Sequence, residues 1–416
     1  MRDNINQLFA KWKKGEWLFV IAFTVIAFGF FGYVGIGFFL SRLLVFLTMP
    51  LMFCYCWNTF IRPSLNPYFK TMRLIVLFTI ISIFSAFIFW GQSFSLGYRI
   101  TVTGFVLVFY FYLCKRKPDV GSVETYILAF GLLYCALWLY AMIQFPTPVF
   151  GFGAEGELEE DLSRGINRIN FVGYLSLVFA YFLSLNRAFL SRKWAFYVLS
   201  AVLFVFIVLQ VTRQIIFLAA FVSIIYLFQK KPKALLLGLL LLILIFGFGN
   251  RIEVSSDSIL GSLINLTETQ MENNQYGEKD IRLVEYEYFF TQWSRNIITD
   301  IIGNGIPHSS SSYGRMQTHL QDSYGLYLSD VGYARIYVTI GLVGLVLYLT
   351  LFIKCCLAKL PENLMYAKLF MLYLMLSNIA SSPYWQPDGQ IAMSISVYLI
   401  TFFSTPKIHM LKPIKP

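Results

Sequence analysis

Charge is what this sequence has least of. Of its 416 residues only 13% are Asp, Glu, Lys or Arg, about half the roughly 25% of a soluble domain. The deficit comes in blocks. Apolar stretches of roughly 17–24 residues recur along nearly the whole chain, each long enough to cross a hydrocarbon core of about 30 Å as a helix. A soluble fold would need about a dozen wholly buried helices with almost no exposed face, and we set that class aside. The apolar/polar alternation of an outer-membrane barrel is missing, so the spans are helices, since lipid leaves backbone groups no other partner. No small-residue cleavage site follows the polar, basic stretch Met1–Glu16, so Trp17 is expected to open a signal anchor. The six cysteines (Cys54, Cys56, Cys114, Cys135, Cys355 and Cys356) avoid the expected outward loops, which argues against a disulfide framework there. No His/Cys cluster has metal-ligand spacing, and no Asp-x-Asp pair of the kind that holds a nucleotide-sugar donor is present.

What the chain has instead is 57% hydrophobic and 18% aromatic residues, with a mean hydropathy of +0.65. The expected fold class is an all-α polytopic membrane protein, a single domain over 1–416 with about 12 spans. These fall near 17–37, 43–60, 73–91, 98–114, 122–144, 167–186, 194–211, 213–229, 234–249, 331–353, 364–382 and 390–405. A tight hairpin is expected at Gln210–Gln214, a short outward loop at 145–166 and a large one at 250–330. Every second loop is basic, and these loops hold 22 of the 33 lysines and arginines, including both ends of the chain. By the positive-inside rule that side is the cytoplasm, with both termini inside. The net charge of +11 is then largely a topology signal aided by anionic lipid and calls for no nucleic acid.

The outward basic residues differ in kind. They are Arg42, Arg99, Arg164, Arg168, Arg213, Arg251, Lys279, Arg282, Arg295, Arg315 and Arg335, whereas 16 of the 22 inward ones are lysine. Guanidinium is a planar fork that grips phosphate or carboxylate through two hydrogen bonds, while lysine is a strongly hydrated point charge. The bias points to a fixed anion at the outer surface, against the plainer reading that arginine snorkels well at interfaces. Arg164 and Arg168 are four apart and share a face if the following helix begins early; the acidic run Glu155–Asp161 before them reads as a solvated loop. Arg213 sits between two apolar spans with almost no loop, where a charge is costly and either functional or ion-paired. In the long loop, Leu283, Tyr286, Phe289/Phe290 and Trp293 recur at helical spacing. They predict an amphipathic helix that either lies on the bilayer or caps a cavity. Gly303-Asn304-Gly305-Ile306-Pro307 predicts a turn; His308 reads as a loop residue.

Several stretches resemble the superfamily of Wzy-type O-antigen polymerases and O-antigen ligases. They are Ser163-Arg164-Gly165 with Asn167 and Asn170, Thr212-Arg213, Arg282 with Gly303-Asn304-Gly305, and Asp330-Val331-Gly332 ahead of Gly341-Leu342-Val343-Gly344. Their order and sidedness carry the resemblance, which covers about 160–350. Ligases of that group carry His, then Asn, Ser or Gln, nine residues, and Gly-x-x-Gly; here Asp330 fills the His position and Val331 the next. The resemblance implies a GT-C-like fold in the bacterial cytoplasmic membrane and a glycosyltransferase that polymerises repeat units carried on undecaprenyl diphosphate. Donor and acceptor would both be lipid-linked, with a chain-length regulator as a further partner and no metal or cofactor. It also implies roles. Arg213 and Arg282, with Arg164 and Arg168, would hold the diphosphate. The base would be Asp330, or else His319, Asp322 or Glu285; Asp330 also suits a helix N-cap. A ligase, or a lipid-linked oligosaccharide flippase, remains the alternative.

Overall fold

The computed structural model describes residues 14–145, 147–151, 169–210, 212–230 and 280–404. Among these the protein is all-helical, with one isolated antiparallel bridge between Tyr33 and Phe150. The helices are α1 (Lys14–Ala27), α2 (Phe38–Ile61), α3 (Pro67–Trp90), α4 (Phe94–Thr101), α5 (Phe109–Arg116), α6 (Val120–Gln144), α7 (Tyr174–Ser191) and α8 (Trp194–Leu209). They continue with α9 (Arg213–Lys230), α10 (Ile281–Thr291), α11 (Ile297–Ile302), α12 (Ser312–Tyr324), α13 (Gly332–Leu357), α14 (Met365–Ser377) and α15 (Pro387–Phe403). A 3-10 stretch, Val102–Val108, joins α4 to α5 in one rod. Among the described residues, seven helices are long and apolar enough to cross a membrane: α2, α3, the α4–α5 rod, α6, α7, α9 and α13. This is the make-up of a multi-pass membrane protein. Every expected span except 234–249 overlaps a described helix; that one lies outside the described residues, as do Arg164, Arg168 and the acidic run.

Local chemistry sets the helix ends. Asn66 accepts from the Tyr68 and Phe69 amides and Pro67 opens the first turn of α3, while left-handed Gly91 closes it. The expected hairpin is there: α8 ends at Leu209 and α9 begins at Arg213. At the centre, α15 is buried from Asp388 through Thr401. Asp388 Oδ2 accepts from the Gly173 and Leu175 amides, both at 3.0 Å, and so fastens the entry of α7 to that of α15. A buried anion is tolerated there because two helix N-termini point at it.

The predicted amphipathic helix forms as α10, and Phe289 and Trp293 lie on its inner face with Tyr286 packed against the same cluster, but the first inner place is not taken by Leu283. Glu285, Phe289 and Trp293 are buried, whereas Leu283 is 64% exposed. Steps of four residues put the carboxylate of Glu285 in line with the two aromatics, and it takes the interior place that hydropathy alone gave to leucine.

The turn at 303–308 is a buried insertion. Gly303 through His308 are all buried without being helical, so each backbone group needs a partner. The partners come from a break in α13, where Gly341 takes φ +74° and ψ −176°. That break takes the Val338 and Thr339 carbonyls out of the regular ladder, and they accept from the Asn304 amide at 2.7 Å and the Gly305 amide at 3.0 Å. Contact is backbone to backbone: a Cβ on Gly303 would fall 2.3 Å from Thr339 O, and one on Gly341 2.2 Å from Ile301 O. Side chains of α3 and its exit clamp the other edge. Ser85 Oγ donates to Gly303 O, Trp90 Nε1 donates to Asn304 Oδ1 at 3.0 Å, and Gln92 bonds both Ile306 O (2.9 Å) and the His308 amide (2.8 Å).

Gly341→Ala is therefore expected to destabilise the purified protein by at least about 2 kcal/mol, combining left-handed strain with steric overlap. Gly15→Ala, with nothing within 4 Å of the new Cβ, should leave the melting temperature in detergent unchanged. Equal melting temperatures for the two variants would refute the interlock.

Candidate functional site

A cavity lies at the end of the bundle where α1 finishes and α2 begins, opposite the lysine-rich loops. Its volume is about 560 Å³, and its wall runs from Phe28 and Phe39 through Phe46, Val102 and Ile306 to Trp385. Against this apolar lining stand three arginines from three helices: Arg42 in α2, Arg99 in α4 and Arg335 in α13. Arg42 and Arg99 are exposed and Arg335 is half-buried. The Arg335 guanidinium lies 5.4 Å from the Trp385 ring centre and its Nη1 donates to Ser382 Oγ at 2.7 Å. Between described residues, neither Arg99 nor Arg335 forms an ion pair; the pairs found there are Glu16–Arg116, Glu124–Arg187 and Glu362–Lys230, all at the lysine-rich end.

The inserted loop reaches this region through Ile306, which lines the cavity, and His308. Ser310 N–H donates to His308 Nδ1 at 3.2 Å, which leaves the proton of the neutral ring on Nε2. Burial, then the positive charges of Arg99 and Arg42, hold the imidazole below its usual pKa. The neutral form of His308, a hydrogen-bond donor through Nε2, is thus favoured within the field of the two guanidiniums.

A second polar group adjoins Arg335. Ser382 Oγ, which accepts from Arg335, donates to Ser329 O at 3.0 Å, and Ser329 Oγ donates to Asp330 Oδ1 at 3.0 Å. Asp330 does not cap α13: Val331 holds the N-cap position and no side chain caps it. Glu285 faces the same segment, its Oε1 accepting from the Tyr327 amide at 2.7 Å. Its Oε2 is buried with no partner among the described residues. Burial first, opposed by the Tyr327 amide and reinforced by the Asp330 charge, pushes its carboxyl up to about 7; Arg282 pulls it down and Asp280 up. Asp330 and Glu285 thus flank one loop that hydrogen bonds tie to Arg335.

The other sequence candidates lie elsewhere. His319 and Asp322 stand on exposed positions of α12, His319 bonded to Ser323 Oγ at 3.0 Å. Arg282 is exposed on the first turn of α10. Arg213 opens α9, and the next residue, Gln214, donates to Ser377 O at 2.8 Å and Ser381 Oγ at 3.2 Å. Tyr286 of α10 donates to Ile379 O at 2.7 Å. The helices of both arginines thus meet the 377–382 turn that also holds Arg335, but neither arginine lines the cavity. Sequence reasoning placed Arg42, Arg99 and Arg335 in the outward arginine set without joining them. The available signal was their position near the outward starts of α2, α4 and α13. Among the described residues no cluster of His, Cys, Asp or Glu has the spacing to hold a metal ion. Comparison with protein-family models and with curated proteins finds no match to this chain.

The Glu285 shift has a signed consequence. A carboxyl held near 7 when folded, against about 4.3 when unfolded, contributes stability that is present below the unfolded value. It is lost as pH rises through the folded value. Glu285→Gln, neutral at every pH and still able to accept from Tyr327, should gain in melting temperature relative to wild type between pH 5 and pH 8. A difference that stays flat across that range would remove the buried-carboxyl assignment.

Proposed function

We propose that the protein joins lipid-linked oligosaccharide units into a surface polysaccharide at the outer face of the bacterial cytoplasmic membrane, with undecaprenyl diphosphate as carrier. The observation that carries this reading is the pairing of an apolar cavity with Arg42, Arg99 and Arg335 at its wall. A polyprenyl tail matches the apolar lining and a diphosphate matches guanidinium forks. The order of short motifs along the chain adds to it, and with it come the GT-C-like arrangement, about 12 spans and inward termini.

The chemistry requires little beyond that. An acceptor hydroxyl of one unit attacks the anomeric carbon of another. The bond from that carbon to the diphosphate oxygen breaks, its electron pair leaves with the diphosphate, and the hydroxyl proton passes to a base. Diphosphate leaves readily once its developing charge is stabilised, so preorganised arginines supply the main catalytic term and the scheme itself calls for no metal. In this reading Arg42, Arg99 and Arg335 take the diphosphate role expected of Arg213 and Arg282, with His308 as an added donor. Arg213 and Arg282 fit best as contacts to the incoming acceptor. Asp330 or Glu285 takes the proton, since both flank the loop bonded through Ser382 to Arg335. Base catalysis contributes typically 10²–10⁴-fold.

Gene deletion followed by sizing of the surface glycan on a gel tests the reading. A glycan cut to one repeat unit on its normal anchor is expected. Complementation with Arg99→Ala or Arg335→Ala should restore polymer about 10- to 100-fold less efficiently than wild type, the worth of one charge-assisted hydrogen bond of about 1.5–3 kcal/mol. Polymer left on the carrier with none attached would mean a ligase. Single units stranded on the cytoplasmic side would mean a flippase.

A further inference from the structure

A separate cavity of about 350 Å³ lies at the opposite, lysine-rich end, between the start of α1, the inner half of α2 and the end of α5. Its walls are Phe19, Leu51, Met52, Tyr55 and Tyr112, with Glu16 and Arg116 at its polar edge. The helix ending there finishes in three successive cations, Lys115, Arg116 and Lys117. Lys115 Nζ sits 3.7 Å from the Tyr55 ring centre and donates to Tyr55 O at 2.7 Å. Arg116 pairs with Glu16, and both side chains keep part of their surface open, 33% and 23%. Arg116 is matched by Glu16, while Lys115, held on the ring and carbonyl of the cavity-lining Tyr55, has no carboxylate partner among the described residues, so a net positive charge remains beside the rim.

We propose that this cleft binds an anionic phospholipid of the inner leaflet. The phosphate lies against Arg116 and Lys115, and the upper acyl chains lie along Phe19, Leu51 and Met52. Two independent features select a lipid over a free anion. The cleft is walled by apolar and aromatic side chains, which offer a small hydrated anion nothing. Its flanks are also continuous with side chains that meet the bilayer: Leu18 is 69% exposed, Leu51 68%, Trp57 47% and Tyr55 41%. Basic pockets between transmembrane helices on the cytoplasmic side are suited to acidic headgroups. Glu16 holds the Arg116 fork in place while the cleft is empty and competes with the phosphate for it. The proposal rests on the orientation expected from the lysine and arginine count and not on the glycan reading, so either can fail without the other.

The test is native mass spectrometry of the full-length protein in detergent, titrated with phosphatidylglycerol or phosphatidylcholine. Wild type is expected to retain phosphatidylglycerol preferentially. Lys115→Gln and Arg116→Gln should each weaken that retention about fivefold, the worth of one cation near the surface, with no effect on phosphatidylcholine. Glu16→Gln should retain phosphatidylglycerol at least as well as wild type, because it removes the competing carboxylate. The Glu16→Gln/Arg116→Gln double variant removes the ion pair without stranding a charge, so weak retention there cannot be blamed on misfolding. Equal retention of both lipids by wild type, or undiminished phosphatidylglycerol on the double variant, would overturn the proposal. Displacement by glycerol phosphate at the same concentration would also overturn it, since that would make this a free-anion site.

Discussion

The arginine-bearing end of the bundle depends on one backbone-to-backbone contact. Gly303 and Gly341 approach so closely that neither position has room for a Cβ. The approach works because the break at Gly341 turns carbonyls of α13 toward the loop. Irregular backbone at membrane depth is tolerable only when each amide and carbonyl finds a protein partner. Here the break in one element provides acceptors for the amides of another. The loop in turn delivers Ile306 to the cavity wall and His308 into the electrostatic field of Arg42 and Arg99. A glycine pair thus converts two weak sequence signals, a turn and a Gly-x-x-Gly, into one rigid shelf.

Much of the fold was legible in the sequence because lipid narrows the choices. Spans must be helical, must be about 20 residues long, and must alternate direction, so hydropathy alone found the hairpin at Gln210–Gln214 and the long helix α13. The site was less legible for a reason of distance. Arg42, Arg99 and Arg335 are far apart in the chain, and nothing in a local window reports that the starts of α2, α4 and α13 meet. Their shared signal was chemical: arginine in place of lysine at one end of the bundle. Glu285 was hidden by the opposite problem. Its neighbours at four-residue steps, Phe289 and Trp293, mark it as interior, but a hydropathy scale treats glutamate as outward and gave the place to Leu283.

Charge is also handled differently at the two ends. At the lysine-rich end Glu16, Glu124 and Glu362 each take a basic partner; the more exposed pairs of Glu16 and Glu362 contribute about 0–1 kcal/mol each, while the largely buried Glu124 needs Arg187 to offset its desolvation. Their work there is positional, holding side chains that would otherwise sample many rotamers. At the other end Arg335 is held by a serine and an indole, and Arg295 by the Phe89 carbonyl and the Trp90 ring. Neutral partners orient a guanidinium without cancelling its charge. An arginine meant to meet an incoming anion needs that kind of support, because a carboxylate partner would have to be displaced first.

This contrast bears on the site proposed above, where three guanidiniums gather at one end of an apolar bundle. Three guanidiniums around one apolar cavity repel one another, and the His308 imidazole, its pKa lowered by burial and by Arg99 and Arg42, is disfavoured from adding a further positive charge. Of the acids that could neutralise them, Asp330 is linked to Arg335 only through Ser382 and Ser329, and Glu285 is turned to the Tyr327 amide of the same loop. Separation of that kind keeps the field in the cavity positive while leaving carboxylates within the same assembly. In the proposed role, such an arrangement would favour an anion that arrives with its own apolar anchor over one that must leave water unaided, since the tail supplies hydrophobic free energy that offsets desolvation of the head.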